Sequence, residues 1–189
     1  MKKADDRKPL RGLVQIDDVY WGGKKTGGKR GRGAAGKTPF VAALSRNTKG
    51  HPEFIRLSRV SGFSADEMLR WAQTQLKAES IIISDGLACF KSFNHLGHLH
   101  ISIKTTGRYD SEKFTVFDWL NTIIGNVKNK LLGTYHGMQH KHLPRYLGEF
   151  CFRFNRRFKL PNLLNSLIYH AANAAPIPQR QLKLAEDWW

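Results

Sequence analysis

Two apolar, β-branched runs in this chain each carry an aspartate, and that pairing constrains the fold more than any other feature of the sequence. The first is Val14-Gln15-Ile16-Asp17-Asp18-Val19-Tyr20-Trp21, and the second is Ile81-Ile82-Ile83-Ser84-Asp85-Gly86. Both read as buried strands, and Gly86 supplies the turn that takes the chain out of the sheet. Burying a carboxylate in such a setting is costly unless a cation neutralises it. Adjacent residues of a strand point to opposite faces, so one of Asp17 and Asp18 is expected to be a metal ligand. Asp17, in phase with Gln15 and Val19, is favoured over Asp18, in phase with Ile16 and Tyr20.

The periodicity predicts strands over 13–20, 40–45, 53–60, 81–84 and 98–103. Asn47-Thr48-Lys49-Gly50 reads as a hairpin turn, and Ser64 with Glu67 as a capping box for a helix over 65–77. A short helix is expected over 87–93. His98 and His100 alternate with Leu99 and Ile101, which puts them on the more polar face of strand five. Helices over 117–132, 142–158 and 161–174 follow, the last with Leu163, Leu164, Leu167 and Ile168 at helical spacing. This order matches an RNase H-like α/β fold: a retroviral-integrase-like mixed five-stranded sheet flanked by helices. In that topology strands one and four are neighbours, which places Asp17 beside Asp85. The expected organisation is an N-terminal basic extension over 1–12, one α/β domain over 13–175 and a tail over 176–189.

The charge indicates the partner. A net charge of +16, from 31 Lys and Arg against 15 Asp and Glu, is the footprint of a polyanion binder. Lys24, Lys25, Lys29, Arg30 and Arg32 crowd a glycine-rich stretch, and Lys37 follows it. The glycines fit no nucleotide-binding spacing, whereas a basic loop beside a strand suits contact with DNA backbone. Arg153, Arg156, Arg157 and Lys159 interleave with Phe152, Phe154 and Phe158, as the basic face of a core helix, a DNA track, or both. His136, His140 and His142 have no zinc spacing and are expected at phosphate or at a helix entry. Cys89 and Cys151 read as buried free thiols. With no apolar stretch of signal-peptide or membrane-spanning kind, the expected location is the cytoplasm.

Thirty-five residues separate Asp85 from Asn121, which opens a helical segment. Lys128 lies seven residues further on, on the same helical face and roughly 10 Å along the axis. An amide oxygen can complete a magnesium shell without adding charge, and a lysine beside it can meet DNA phosphate. Taken alone, the pair equally fits a helix N-terminal Asn and a solvated Lys. Asn126 is the next candidate for the third ligand.

With these residues in view, the chain resembles the catalytic domain of a bacterial insertion-sequence transposase of the DDE superfamily, in the group that uses Asp, Asp, Asn and a following Lys. The matching segments are Ile16-Asp17-Asp18-Val19-Tyr20-Trp21-Gly22-Gly23, Ser84-Asp85-Gly86, Asn121 to Lys128, Gly133-Thr134-Tyr135-His136, and Tyr146 to Arg157. The resemblance implies Asp17, Asp85 and Asn121 as metal-binding triad, Lys128 as the associated lysine, and Mg2+, or Mn2+, as cofactor. It implies element-end and target DNA as partners, and a homo-oligomer assembled on DNA. Lys24, Lys25, Lys29, Arg30, Arg32, Lys37, Lys128, Lys130, His136, Arg156 and Arg157 are the expected DNA contacts. The zinc ribbon and helix-turn-helix of such transposases have no counterpart here, so the catalytic domain alone is expected. An RNase H-like nuclease or resolvase, or a silent DNA-binding remnant, are the alternatives.

Overall fold

The computed structural model describes residues 8–22, 36–103, 111–136 and 138–184, together with Met1 and Asp5, and gives only the helical course of 111–115. Five strands form one sheet: β1 (Leu13–Trp21), β2 (Thr38–Arg46), β3 (Pro52–Arg59), β4 (Ile81–Ser84) and β5 (Leu99–Ser102), in the order β3-β2-β1-β4-β5. The first three pair antiparallel, while β4 joins β1, and β5 joins β4, in parallel. The sheet is therefore mixed and RNase H-like, with β1 at its centre. Local chemistry explains the hairpin between β2 and β3: Asn47 Oδ1 accepts from the backbone N–H of Lys49 and His51 at 3.0 and 2.9 Å, and Gly50 takes φ +80°.

Helices cover both faces. On one side lie α1 (Ala65–Gln75) and a 3-10 segment, Ala88–Leu96, over Val14, Ile16, Val41, Ala43 and Ile82, with Trp71, Phe90 and Phe93 fully buried between them. On the other lie α2 (Ser111–Gly133) and α3 (Leu143–Phe154), which pack Phe117, Leu120, Ile124, Val127, Leu147 and Cys151 against Val19, Ala42, Leu44 and Leu57. The alternation along β1 thus feeds two cores: Val14 and Ile16 go one way, and Val19 goes the other. Helix α1 starts as expected, with Ser64 Oγ accepting from Glu67 N at 3.2 Å. Glu67 reaches back past the cap to accept from Ser61 N at 2.8 Å. That bond and Arg70 hold its carboxyl below the usual range against the opposing effect of burial. Cys89 and Cys151 are buried free thiols.

Three expectations are corrected. The helix expected over 142–158 ends at Phe154, because Asn155 leaves the helix to bond the sheet edge. Its Oδ1 accepts from Ile55 N at 2.8 Å, and its Nδ2 donates to Ile55 O at 3.1 Å and to Asp5 Oδ2 at 3.0 Å. Arg157 continues the same seam by donating to the carbonyls of Pro52 and, at 3.5 Å, Glu53. A 3-10 turn (Arg157–Asn162) then leads to α4 (Leu163–Ala172) and α5 (Gln179–Leu182). Second, Leu164 and Ile168 of α4 are exposed, and no residue of that helix is buried. Third, His98 and His100 do not take the open face of β5. His98 is buried, His100 packs edge-on to Phe93, and Leu99 and Ile101 are the exposed pair. Ser84 explains the reversal, because its buried hydroxyl pairs with His100 Nε2 at 2.8 Å and draws the imidazole inward.

The segment read as an extension is also tied in. Leu10 is buried and bonds both ways to α1's end, through Leu10 N to Gln75 O at 2.8 Å and Lys77 N to Leu10 O at 2.7 Å. Asp5 is buried under Arg156 (2.8 Å) and Asn155, while Arg56 Nη2 donates to its carbonyl at 2.6 Å. Truncating Asn155 strands two backbone groups of Ile55 and one oxygen of Asp5. Asn155→Ala is expected to lose about 3 kcal/mol of stability, at the low end of 1–3 kcal/mol for each of the three partly buried groups left unmade. Urea denaturation measures this, with the exposed Asn165→Ala as control within about 0.5 kcal/mol of wild type. A loss for Asn155→Ala no larger than the control would dismiss the clamp.

Candidate metal centre

The centre forms where β4 stops and β1 continues. Ile16 is the last β1 residue paired to β4, opposite Ser84, so Asp17 and Asp85 leave that register side by side. Gly86, at φ +94°, turns the chain away, and Leu87 N donates to Asp85 Oδ1 at 3.2 Å, fixing the carboxyl on that turn. Asp18 joins them: one oxygen from each of Asp17, Asp18 and Asp85 lies within 4.8 Å of the others. The expectation that strand alternation separates the two adjacent aspartates is therefore corrected. With β4 ending one residue before Asp85, β1 is open on that side at Asp17 and Asp18, while β2 still pairs it on the other. The signal available in the sequence was the Asp-Asp pair itself, one residue beyond the register that aligns Ile16 with Ser84.

The electrostatics show what the cluster lacks. Burial, then Asp85, then Asp18 push the Asp17 carboxyl up from 3.8 to about 7, against a hydrogen bond from the Asp18 backbone and the charge of Lys128. Oxygen donors that repel one another this strongly suit a hard divalent cation, which would remove the repulsion that raises Asp17. The residues present thus fit an Asp-based metal-binding site.

Helix α2 borders the site on Asp17's face. Gln15, two residues before Asp17 and on the same face of β1, is buried and donates to Val116 O of the helix. Lys128, half-buried, is close enough to lower Asp17's pKa. Asn121 sits two turns earlier on the same face as Lys128, with its side chain exposed. Asn126 points to the opposite flank, where it lines a cleft with Trp119 and His51.

The expected DNA contacts separate into groups. Lys24, Lys25, Lys29, Arg30 and Arg32 lie outside the described residues. Gly22 (φ +140°) and Gly36, which flank them in sequence, lie together: a Cβ added at Gly22 would stand 2.5 Å from Gly36 O and 3.2 Å from His140 Cε1. Thr38 Oγ1 pairs with His140 Nδ1 at 2.7 Å, and Lys37 is exposed beside it. Gly22 lies five residues beyond Asp17 along the strand direction, about 17 Å at strand rise. His136 is exposed at φ +38°, and His140–His142 form the 3-10 turn that enters α3. Lys130, Arg156 and Arg157 are engaged within the fold. Lys130 pairs with Glu149, Arg156 lies 3.8 Å over the Phe152 ring with Asp5 on its guanidinium, and Arg157 stacks on Phe154 at 3.9 Å.

The raised pKa has a consequence for stability. Between about 4 and about 7 the native state holds a proton on Asp17 that the unfolded chain has released. More protons on the native state make stability fall as pH rises through that window. Denaturant melts of chelator-treated protein are expected to show this decline, and Asp17→Asn is expected to flatten it. Divalent cation is expected to restore stability most at the high end of the window. An unchanged pH slope in Asp17→Asn would remove Asp17 as its source.

Residues 9–155 match the ISXO2-like transposase domain family. No curated protein matches the chain. Among solved structures, it is similar to the HTLV-2 integrase catalytic core domain in complex with magnesium, in a trimeric form, at 13% identity over 79% of this chain and 88% of that one, with a TM-score of 0.46. It is also similar to a simian T-cell lymphotropic virus intasome in complex with a PP2A regulatory subunit, at 11% identity over 90% of this chain and 58% of that one, with a TM-score of 0.49. With its acidic cluster at the junction of β1 and β4, the chain belongs to the ISXO2-like transposase domain family of the DDE superfamily.

Proposed function

We propose that this domain cleaves DNA at the ends of an insertion element and joins the freed 3′ ends to target DNA, using magnesium held by Asp17, Asp85 and Asn121. The observation that carries the reading is the convergence of carboxylate oxygens within 4.8 Å where β1 passes the end of β4, with Lys128 alongside. When bound there, divalent cations supply Lewis acidity and a more acidic attacking water or hydroxyl. Asp17 and Asp85 bring charge on rigid elements. Asn121 adds a neutral oxygen, so two Asp and one Asn hold metal weakly until substrate phosphates complete the shell. Lys128 donates to a phosphate oxygen next to the scissile bond. The glycine-rich basic segment between Gly22 and Gly36 holds DNA backbone, its ends about 17 Å from Asp17. Among the described residues no helix is long and apolar enough to cross a membrane. The proposed partners are element-end and target DNA, with assembly into a homo-oligomer on DNA.

The test is a magnesium-dependent cleavage and joining assay on DNA carrying the element's terminal repeats. Joined product that disappears with Asp17→Ala or Asp85→Ala is expected, and cleavage without joining would indicate a plain nuclease. Asn121→Asp is expected to retain or tighten metal binding, whereas Asn121→Ala weakens it by about tenfold or more. Titration calorimetry on the DNA-bound proteins reads this, and equal affinity for wild type and Asn121→Ala would take Asn121 out of the site. DNA affinity is expected to fall with salt by about 0.9 log units per log unit for each phosphate engaged. A flat response up to physiological salt would contradict the electrostatic account.

A further inference from the structure

On the flank of α2 facing away from Asn121 and Lys128 lies a half-open cleft of about 370 Å³, between the β2–β3 turn and the end of α3. We propose that this cleft is a binding site for an unpaired nucleobase of single-stranded DNA. The inference rests on the reading of DNA as substrate and adds a site remote from the aspartates.

The walls carry the argument. One is formed by Trp119, 43% exposed, with the His51 ring tilted against it at 6.4 Å. The other is a stack in which the Arg157 guanidinium lies 3.9 Å from the centroid of Phe154 and 4.2 Å from that of Phe158. Phe158 lines the cleft with its ring 82% exposed and so open to contact. Such walls are aromatic and planar, the surface on which bases stack irrespective of sequence. The volume falls within the range of small-ligand clefts, roughly 300–1,000 Å³. Asn126 stands at the rim with its amide exposed and, among the described residues, in no hydrogen bond. An amide offers a donor and an acceptor side by side, the pattern that a base edge presents in return.

Charge selects the same occupant. Arg157 is the one Lys or Arg in the described lining, no carboxylate is among those residues, and the whole chain carries +16. Helix geometry places the cleft relative to the metal centre. Trp119 and Asn126 are seven residues apart on one flank of α2, as Asn121 and Lys128 are on the other, so about 10–12 Å of helix separates the two sites. A strand leaving the aspartates can cross α2 and set a base between Trp119 and Phe158.

The test compares a fluorescent ten-residue deoxyadenosine oligonucleotide with a blunt duplex, by anisotropy at fixed salt, on the full chain. Wild type is expected to bind both. Phe158→Ala and Trp119→Ala are each expected to weaken single-strand binding by about 5- to 150-fold, the equivalent of one lost base stack, and to change duplex binding by less than about twofold. Because Phe158 is so exposed, its variant keeps the test valid even where Trp119→Ala melts early. Unchanged single-strand affinity in both ring variants would overturn the site, as would equal losses on the two DNAs. A shift in sedimentation with single-strand affinity intact would overturn it too, by marking a protein-binding surface. Failure of wild type to bind either DNA at low salt would instead bring down the functional reading beneath it.

Discussion

The rest of the structure depends on the double pairing of β1, antiparallel to β2 and parallel to β4. Nine residues long against the four of β4, it runs past its partner and carries Asp17 and Asp18 into the space β4 leaves. The same strand divides the two cores, with Val14 and Ile16 beneath α1 and Val19 beneath α2. A carboxylate placed there sits on a backbone paired to β2 on one side and one residue past the stretch bonded from both sides, a rigid base for a metal-binding group. Ser84 and His100 brace the other half by pairing at the last residue of β4, immediately before Asp85.

Positive charge does two different jobs in this molecule. Arg156 lies over the Phe152 ring and pairs with Asp5, so its charge is met inside the fold, whereas Arg157 holds backbone carbonyls of β3 and keeps its partly exposed guanidinium on the cleft wall. Burial holds the Arg157 pKa below its ordinary value. Lys37 stands exposed at the root of the glycine-rich loop, and Lys128 faces the aspartates. Of the 31 basic residues, those that shape a polyanion surface are therefore fewer than the composition suggests.

The sheet was legible in the sequence because apolar alternation specifies strands and the order of elements specifies their neighbours. Asp85 beside Asp17 follows from that order. The entry of Asp18 was not legible, since it depends on where β4 stops, and strand ends are set by turn geometry more than by pattern. The roles of Arg156 and Arg157 were hidden for another reason: an arginine beside phenylalanine reads alike whether the guanidinium faces DNA or a ring of its own chain. His98 and His100 looked solvent-facing because polarity stood in for exposure, and the hydroxyl of Ser84 reversed it. Asn121 does not open a helix as the sequence suggested, since α2 begins ten residues earlier at Ser111, but its seven-residue spacing still puts it on one flank with Lys128.

The seam made by Asn155 and Arg157 bears on how copies of this domain can meet. An outer strand with open N–H and C=O groups is a template onto which another chain can add, and repeated addition leads to fibrils. On β3 the outward groups of Ile55 are taken by one side-chain amide, and the carbonyls of Pro52 and Glu53 by one guanidinium. Two side chains therefore cap the first half of this edge, from Pro52 to Ile55. Over that half of the border a second chain finds no backbone groups to pair with, so association of copies there has to rely on side chains rather than on a shared ladder.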